Sequence, residues 1–218
     1  MNRRSWRYGY PAAVAAILLA VLAAAGCQGL LGLGAVIMGT DESAEFAGLK
    51  EKKVAVVCRP LVSLQYRNAG AARELAQQVG LFLSANVPKI NVIDSQKVAS
   101  WIDENTWDDY VEVGKALKAD CVIGIDLMSF SVLEGQTLYR GRSAVAFKVY
   151  DVATGKTLFE KTLPETVYPP NIALPASERP EGEFRSEFVK IVAWHVARHF
   201  YKHDAYGDTC LDTKAGIP

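Results

Sequence analysis

An excess of charge of either sign is the first thing this sequence lacks. Its 24 lysines and arginines are matched by 24 aspartates and glutamates over 218 residues. A nucleic-acid-binding surface calls for a basic excess on one face, so no nucleic-acid partner is indicated. Long apolar runs are missing too. The run at residues 12–25 has 14 members, against the ~20 a helix needs to cross about 30 Å of hydrocarbon. Cysteine is sparse, with four in the chain, and histidine sparser, with three. No internal repeat is present.

Signatures of common reactions are absent as well. A nucleotide-binding fold would place a glycine-rich turn after its first strand. The turn here reads Cys58-Arg-Pro-Leu-Val-Ser63, with no glycine before Gly70. There is no GxSxG for a nucleophile elbow and no HExxH for a zinc hydrolase. The acidic pairs Asp103-Glu104 and Asp108-Asp109 fall at helix ends, where solvated caps are the default. Asp126 lies inside an apolar stretch, as a buried carboxylate with a shifted pKa or at a strand end. The expectation is a chain that is not an enzyme.

The N-terminus is informative. Arg3, Arg4 and Arg7 precede the apolar run, and small residues close it. Basic start, short hydrophobic core and small-residue exit are the parts of a secretory signal peptide. Ala24-Ala25-Gly26-Cys27 resembles the lipobox of bacterial lipoproteins, with Ala24 where leucine is usual. That resemblance implies cleavage before Cys27 and diacylglycerol on its thiol; apart from a metal at the histidines discussed below, no cofactor is expected. Acyl chains add about 0.8 kcal/mol per buried methylene, so two or three anchor a protein durably. With Gln28 rather than aspartate next, the resemblance favours the outer membrane, facing the periplasm. Cleavage would remove the three arginines and leave an acidic excess of about three.

Four segments follow from this reading: a signal peptide at 1–26, a lipidated tether at 27–49, one αβ domain at 50–206 and a flexible tail at 207–218. The tether is rich in glycine and alanine and turns acidic near Asp41; its apolar part, residues 30–38, is too short to span. In the domain, the unbroken run Lys53-Val-Ala-Val-Val-Cys58 reads as a strand buried on both faces. A helical stripe follows at Ala72, Leu75, Ala76, Val79, Phe82 and Leu83. Ile90-Asn-Val-Ile93 reads as a short strand, and Asp94 or Ser95 caps a helix bearing Val98, Ala99 and Ile102. Asp109 and Glu112 have capping-box spacing ahead of Tyr110, Val113, Gly114 and Leu117. A third strand covers residues 120–130. Residues 143–151 alternate, with Val145, Phe147 and Val149 on one face; Asp151-Val-Ala-Thr-Gly-Lys156 is a tight turn, and residues 157–167 return. A proline-rich loop spans 168–182 and a last helix 184–202. The fold class is α/β: a mixed sheet of about five strands covered by helices, parallel in its first half, an antiparallel hairpin in its second.

Val54 to Val57 with the helix after it, Val92-Ile93-Asp94, Val113-Gly-Lys-Ala-Leu-Lys-Ala-Asp120 and Val149-Tyr-Asp-Val-Ala-Thr-Gly-Lys156 form a familiar run. Over residues 53–166 it resembles the αβ domain shared by curli-secretion lipoproteins, flagellar outer-membrane lipoproteins and lipoprotein activators of penicillin-binding proteins. The resemblance implies a fold rather than one activity. A curli-type pore would need spare hairpins with strands of about 9–11 residues; the candidate strands are better used in the sheet.

His195, His199 and His203 fall at i, i+4 and i+8 on the last helix. That spacing suits a zinc or copper site, or continues the packing face of Phe184, Phe188 and Val192. Cys58 ends the first strand and Cys121 begins the third, on the order of 15 Å apart if the two are parallel neighbours, so no bridge between them is expected; Cys210 is left for pairing between molecules. In the proline-rich loop, Tyr168, Pro169 and Pro170 offer an extended backbone and an aromatic ring for a partner contact, or the loop is simply disordered. The functional expectation is a non-catalytic envelope lipoprotein that docks an envelope protein or its own copies in assembly. The alternative is a metal- or small-ligand-binding lipoprotein that uses the histidine helix.

Overall fold

The computed structural model describes residues 41–60 and 65–204, with no account of the side chains of 65–69. Cys27 and Cys210 lie outside the described residues. The chain divides after Asp41, and every described residue but Asp41 belongs to the unit Glu42–Pro218. Among the described residues no helix is long and apolar enough to cross a membrane.

Strand β1, Lys53–Pro60, leads into α1, Gln65–Asn86, then β2, Asn91–Val92. Helices α2, Ser95–Glu104, and α3, Tyr110–Ala116, follow. Two long strands, β3, Cys121–Glu134, and β4, Leu138–Asp151, form a hairpin. β5, Thr157–Thr162, β6, Thr166–Tyr168, and β7, Leu174–Pro175, all pair with β4. Helix α4, Glu181–Ala197, closes the unit. The seven strands make one mixed sheet in the order β2-β1-β3-β4-β5, with β6 and β7 also on β4. β1 is parallel to β2 and β3; every later pairing is antiparallel.

Local chemistry sets the boundaries. Asp94 accepts from the N–H of Gln96 at 2.7 Å and of Lys97 at 3.4 Å, so it caps α2. Asp109 accepts from the N–H of Val111 at 3.1 Å and caps α3. Such a cap contributes about 1 kcal/mol over alanine. In the turn before β5, Thr154 donates its N–H and its hydroxyl to Asp151, both at 2.7 Å. Gly155 there sits at φ +72°, a conformation side chains resist.

The two faces of the sheet are covered unequally. On one, Ile123, Ile125, Leu127, Val145, Phe147 and Val149 are buried beneath α1 and α4, whose Leu75, Val79, Phe184 and Phe188 complete the main core. Each such side chain contributes on the order of 1.5–3 kcal/mol over its exposed state. On the other face α2 and α3 make a smaller core over Ala55, Val57 and Val122. Beyond it Asp126, Met128, Ala144, Ala146 and Lys148 stay half exposed.

Three expectations are corrected. Tyr168 does not present its ring to a partner: it is fully buried, stacked on Phe184 at 5.8 Å, with its hydroxyl donating to Glu187 at 2.6 Å. Pro169 is buried beside it and Pro170 half-buried. A tyrosine with an apolar body and one satisfied hydroxyl gains more in the core than in water. The last helix does not run to residue 202 but ends at Ala197, followed by a 3-10 turn, Arg198–Phe200. The acidic stretch read as tether is partly folded: Leu49 is in the core, and Phe46 stacks on Phe159 at 5.5 Å.

Candidate functional site

After β1 the chain crosses to β2 on one side; after β2 it crosses back to β3 on the other side of β1. In open α/β sheets the carboxyl ends of parallel strands at such a reversal are where sites form. Arg59 and Asp126 lie there as register partners on β1 and β3.

Around them a cluster is built from three elements. The Arg59 guanidinium reaches Asp126 Oδ1 at 3.4 Å and donates to the Asp108 carbonyl at 3.3 Å. It also lies over the rings of Tyr110, at 5.0 Å, and Trp107, at 5.7 Å. The Tyr110 hydroxyl donates to Asp126 Oδ1 at 2.8 Å. Its ring packs against Trp107 at 5.5 Å and stacks on Tyr150 of β4 at 5.8 Å. Gly124 makes this possible, since a Cβ there would fall 2.6 Å from the Tyr110 ring. Burial and the bond to Asp126 both push the Tyr110 phenol up from its ordinary value. It stays protonated and keeps donating.

Charge pairs continue along the same sheet face. Lys148, opposite Gly124, meets Glu160 at 2.8 Å. Arg142 meets Glu165 at 3.1 Å, and Arg140 meets Glu134 at 3.4 Å. Exposed charge pairs of this kind add little to stability, and a cation over an aromatic ring about 0.5–1 kcal/mol. The cluster is therefore a pre-formed, partly open platform and a minor source of stability. Tyrosine, tryptophan and arginine are the residue types that carry most binding energy in protein interfaces.

The candidate histidines are not gathered into one site. His195 is half-buried on α4. The His199 Nδ1 lies 2.8 Å from a Glu45 carboxylate oxygen. His203, beyond the helix in the two-residue strand His203–Asp204, sets Nδ1 3.2 Å from the Tyr201 carbonyl and Nε2 3.5 Å from Glu42. Among the described residues no three metal-capable side chains converge. Cys58 lies opposite Ile125, four positions from Cys121, and both thiols are free. Burial raises the pKa of each. Asp126, readable from sequence as an oddity, sits near the end of the paired stretch; Arg59 and Trp107 carried no such signal. Their one trace is an arginine closing an apolar strand and a tryptophan stranded between two helices.

No protein-family model matches the sequence, and no curated protein does. Among solved structures it is similar to the PelC dodecamer from Paraburkholderia phytofirmans, at 13% identity over 75% of this chain and 96% of that one, with a TM-score of 0.43. Lipoprotein GNA1162 from Neisseria meningitidis is similar at 13% identity over 67% and 98%, with a TM-score of 0.41. The LpoB C-terminal domain from Salmonella enterica is similar at 13% identity over 55% and 84%, with a TM-score of 0.36.

Proposed function

We propose that the chain is a lipid-anchored protein of the bacterial cell envelope whose folded unit is a non-catalytic docking module. The single observation that carries the docking role is the platform of Arg59, Trp107 and Tyr150, backed from beneath by the buried Tyr110, beside a stretch of sheet that no described element covers. The rings and the guanidinium are held in place before any partner arrives, so little side-chain freedom remains to be lost on binding. The half-exposed Met128, Ala144 and Ala146 supply apolar area next to them, and the paired charges form a polar rim. The address comes from the sequence: the basic, apolar and small-residue order ending at Cys27, with Gln28 favouring the outer membrane. In this reading the partner is another envelope protein, and its contact is the platform rather than the proline-rich loop.

The test is affinity capture from solubilised membranes, comparing the native chain with Arg59→Ala, Trp107→Ala and Ile172→Ala. Ile172 lies in the proline-rich loop and is 40% exposed. Loss of the same captured protein in the first two variants, and retention in the third, supports the platform. Equal capture by all three assigns the contact elsewhere.

A further inference from the structure

β1 has one finished edge and one nearly bare edge. On the finished side β3 pairs with it from Val54 to Pro60. On the other side β2 stops at Val92, and the last bond there is from the Ile93 N–H to the Val54 carbonyl at 2.8 Å. Alternate residues of a strand turn both backbone polar groups to the same side. Val56 and Cys58 therefore aim their N–H and C=O at the bare edge, and no strand among the described residues pairs with them there.

This edge runs along a slot between two helices. α1 packs on one face of the sheet and α2 on the other, and between them lie two cavities of about 370 and 200 Å³. Val56, Ala76 and Ser95 line both, so the two adjoin along the edge. The flanks are kept low by small side chains, Ala72, Ala76 and Gly80 from α1 and Ser95 and Ala99 from α2. Across the mouth Arg73 and Asp103 make two bonds, at 2.9 and 3.1 Å, with both side chains more than half exposed. So exposed a pair is easily opened.

We propose that this slot receives an extended peptide of a partner protein, which adds a strand alongside β1 in line with β2. The occupant follows from what the slot offers. Backbone donors and acceptors at every second residue match another peptide backbone, as in strand addition to a sheet edge. An acyl chain or a compact apolar ligand would leave those groups without partners. Alternate side chains of such a peptide would turn toward α1 and toward α2. This goes beyond the docking platform, because Arg59 and Trp107 lie on the other face of the sheet from α1 and take no part in the slot. Either proposal can fail without the other.

The experiment pans a phage-displayed library of random dodecapeptides against the full-length chain in detergent and synthesises the most enriched peptide. The expected peptide binds in an extended form and protects the Val56 and Cys58 amides from hydrogen exchange. Its affinity falls at least about ten-fold when its alternate amides are N-methylated, and again in Ala76→Trp, which fills the slot. N-methylation leaves the protein untouched, so it decides the matter even if Ala76→Trp folds poorly. Arg59→Ala leaves this binding unchanged. No enriched peptide, indifference to N-methylation, or protection confined to other amides overturns the proposal. So does concentration-dependent self-association lost in Ala76→Trp, which would give the slot to a second copy of the chain.

Discussion

The imidazole of His199 and the carboxylate of Glu45 meet at 2.8 Å, joining the start of the folded unit to the 3-10 turn that follows its last helix. The Phe46 N–H donates to the His199 carbonyl at 3.0 Å, and Lys161 bonds both oxygens of Glu45. His199 itself is buried against Phe147, and its Nε2 has no hydrogen-bond partner among the described residues. Burial therefore lowers its pKa, helped by the positive charges of Lys161 and Arg198, and outweighs the Glu45 contact, which acts the other way. A histidine depressed in the folded state takes up its proton more readily when unfolded. Stability is then fully present above the ordinary value of about 6.5 and declines as pH falls below it. The Lys161 bonds hold the Glu45 carboxyl below the usual range, which adds a further loss at lower pH. Urea unfolding between pH 7.5 and 5 is expected to show falling stability in the native chain and a flatter profile in His199→Gln. Parallel profiles would remove His199 from the account.

Gly124→Ala should disturb the platform from beneath. The new methyl falls 2.6 Å from the Tyr110 ring, which Trp107 and Tyr150 confine. Overpacking of this kind costs about 1–3 kcal/mol. The expected outcome is a lower urea midpoint with changed near-ultraviolet circular dichroism and unchanged secondary structure. A variant as stable as the native chain would mean that the ring has room the structure does not show.

Tyr168→Phe separates a core role from a partner role. Glu187 keeps its 2.7 Å bond to Arg179, so losing the hydroxyl should cost about 1.5–3 kcal/mol, as for a hydrogen bond to a charged group. Tyr168→Ala also empties a fully buried site and should cost about 3–5 kcal/mol. Denaturant midpoints check both values, and capture of the partner by Tyr168→Phe is expected to match the native chain.

Period and turn chemistry made most of the fold legible. The stripe from Ala72 to Leu83 is the buried side of α1, Asp94 and Asp109 are the caps, and Val145, Phe147 and Val149 face the core as their alternation requires. What escaped was set by tertiary contacts. β3 and β4 each run to 14 residues because they pair with each other beyond the apolar stretch. The proline-rich loop buries Tyr168 because α4 brings Phe184 and Glu187 to it from 16 and 19 residues away. The platform escaped for the same reason: Arg59, Trp107, Tyr110 and Tyr150 meet only once α3 lies over the sheet.

Cys27→Ala tests the anchor. The native precursor is expected to be processed before residue 27 and to carry acyl groups there, read by intact mass and by labelling with a fatty-acid analogue. The variant should stay unprocessed and unlabelled. Labelling of the variant equal to that of the native chain would place the lipid elsewhere or nowhere.

The most direct test of the docking role is site-specific photocrosslinking in intact cells, with Met128→p-benzoylphenylalanine placing the probe on the open sheet beside the platform. The account predicts an adduct with one envelope protein that disappears when Arg59→Ala is added. Irradiation that yields no protein adduct, or an adduct indifferent to Arg59→Ala, would contradict it.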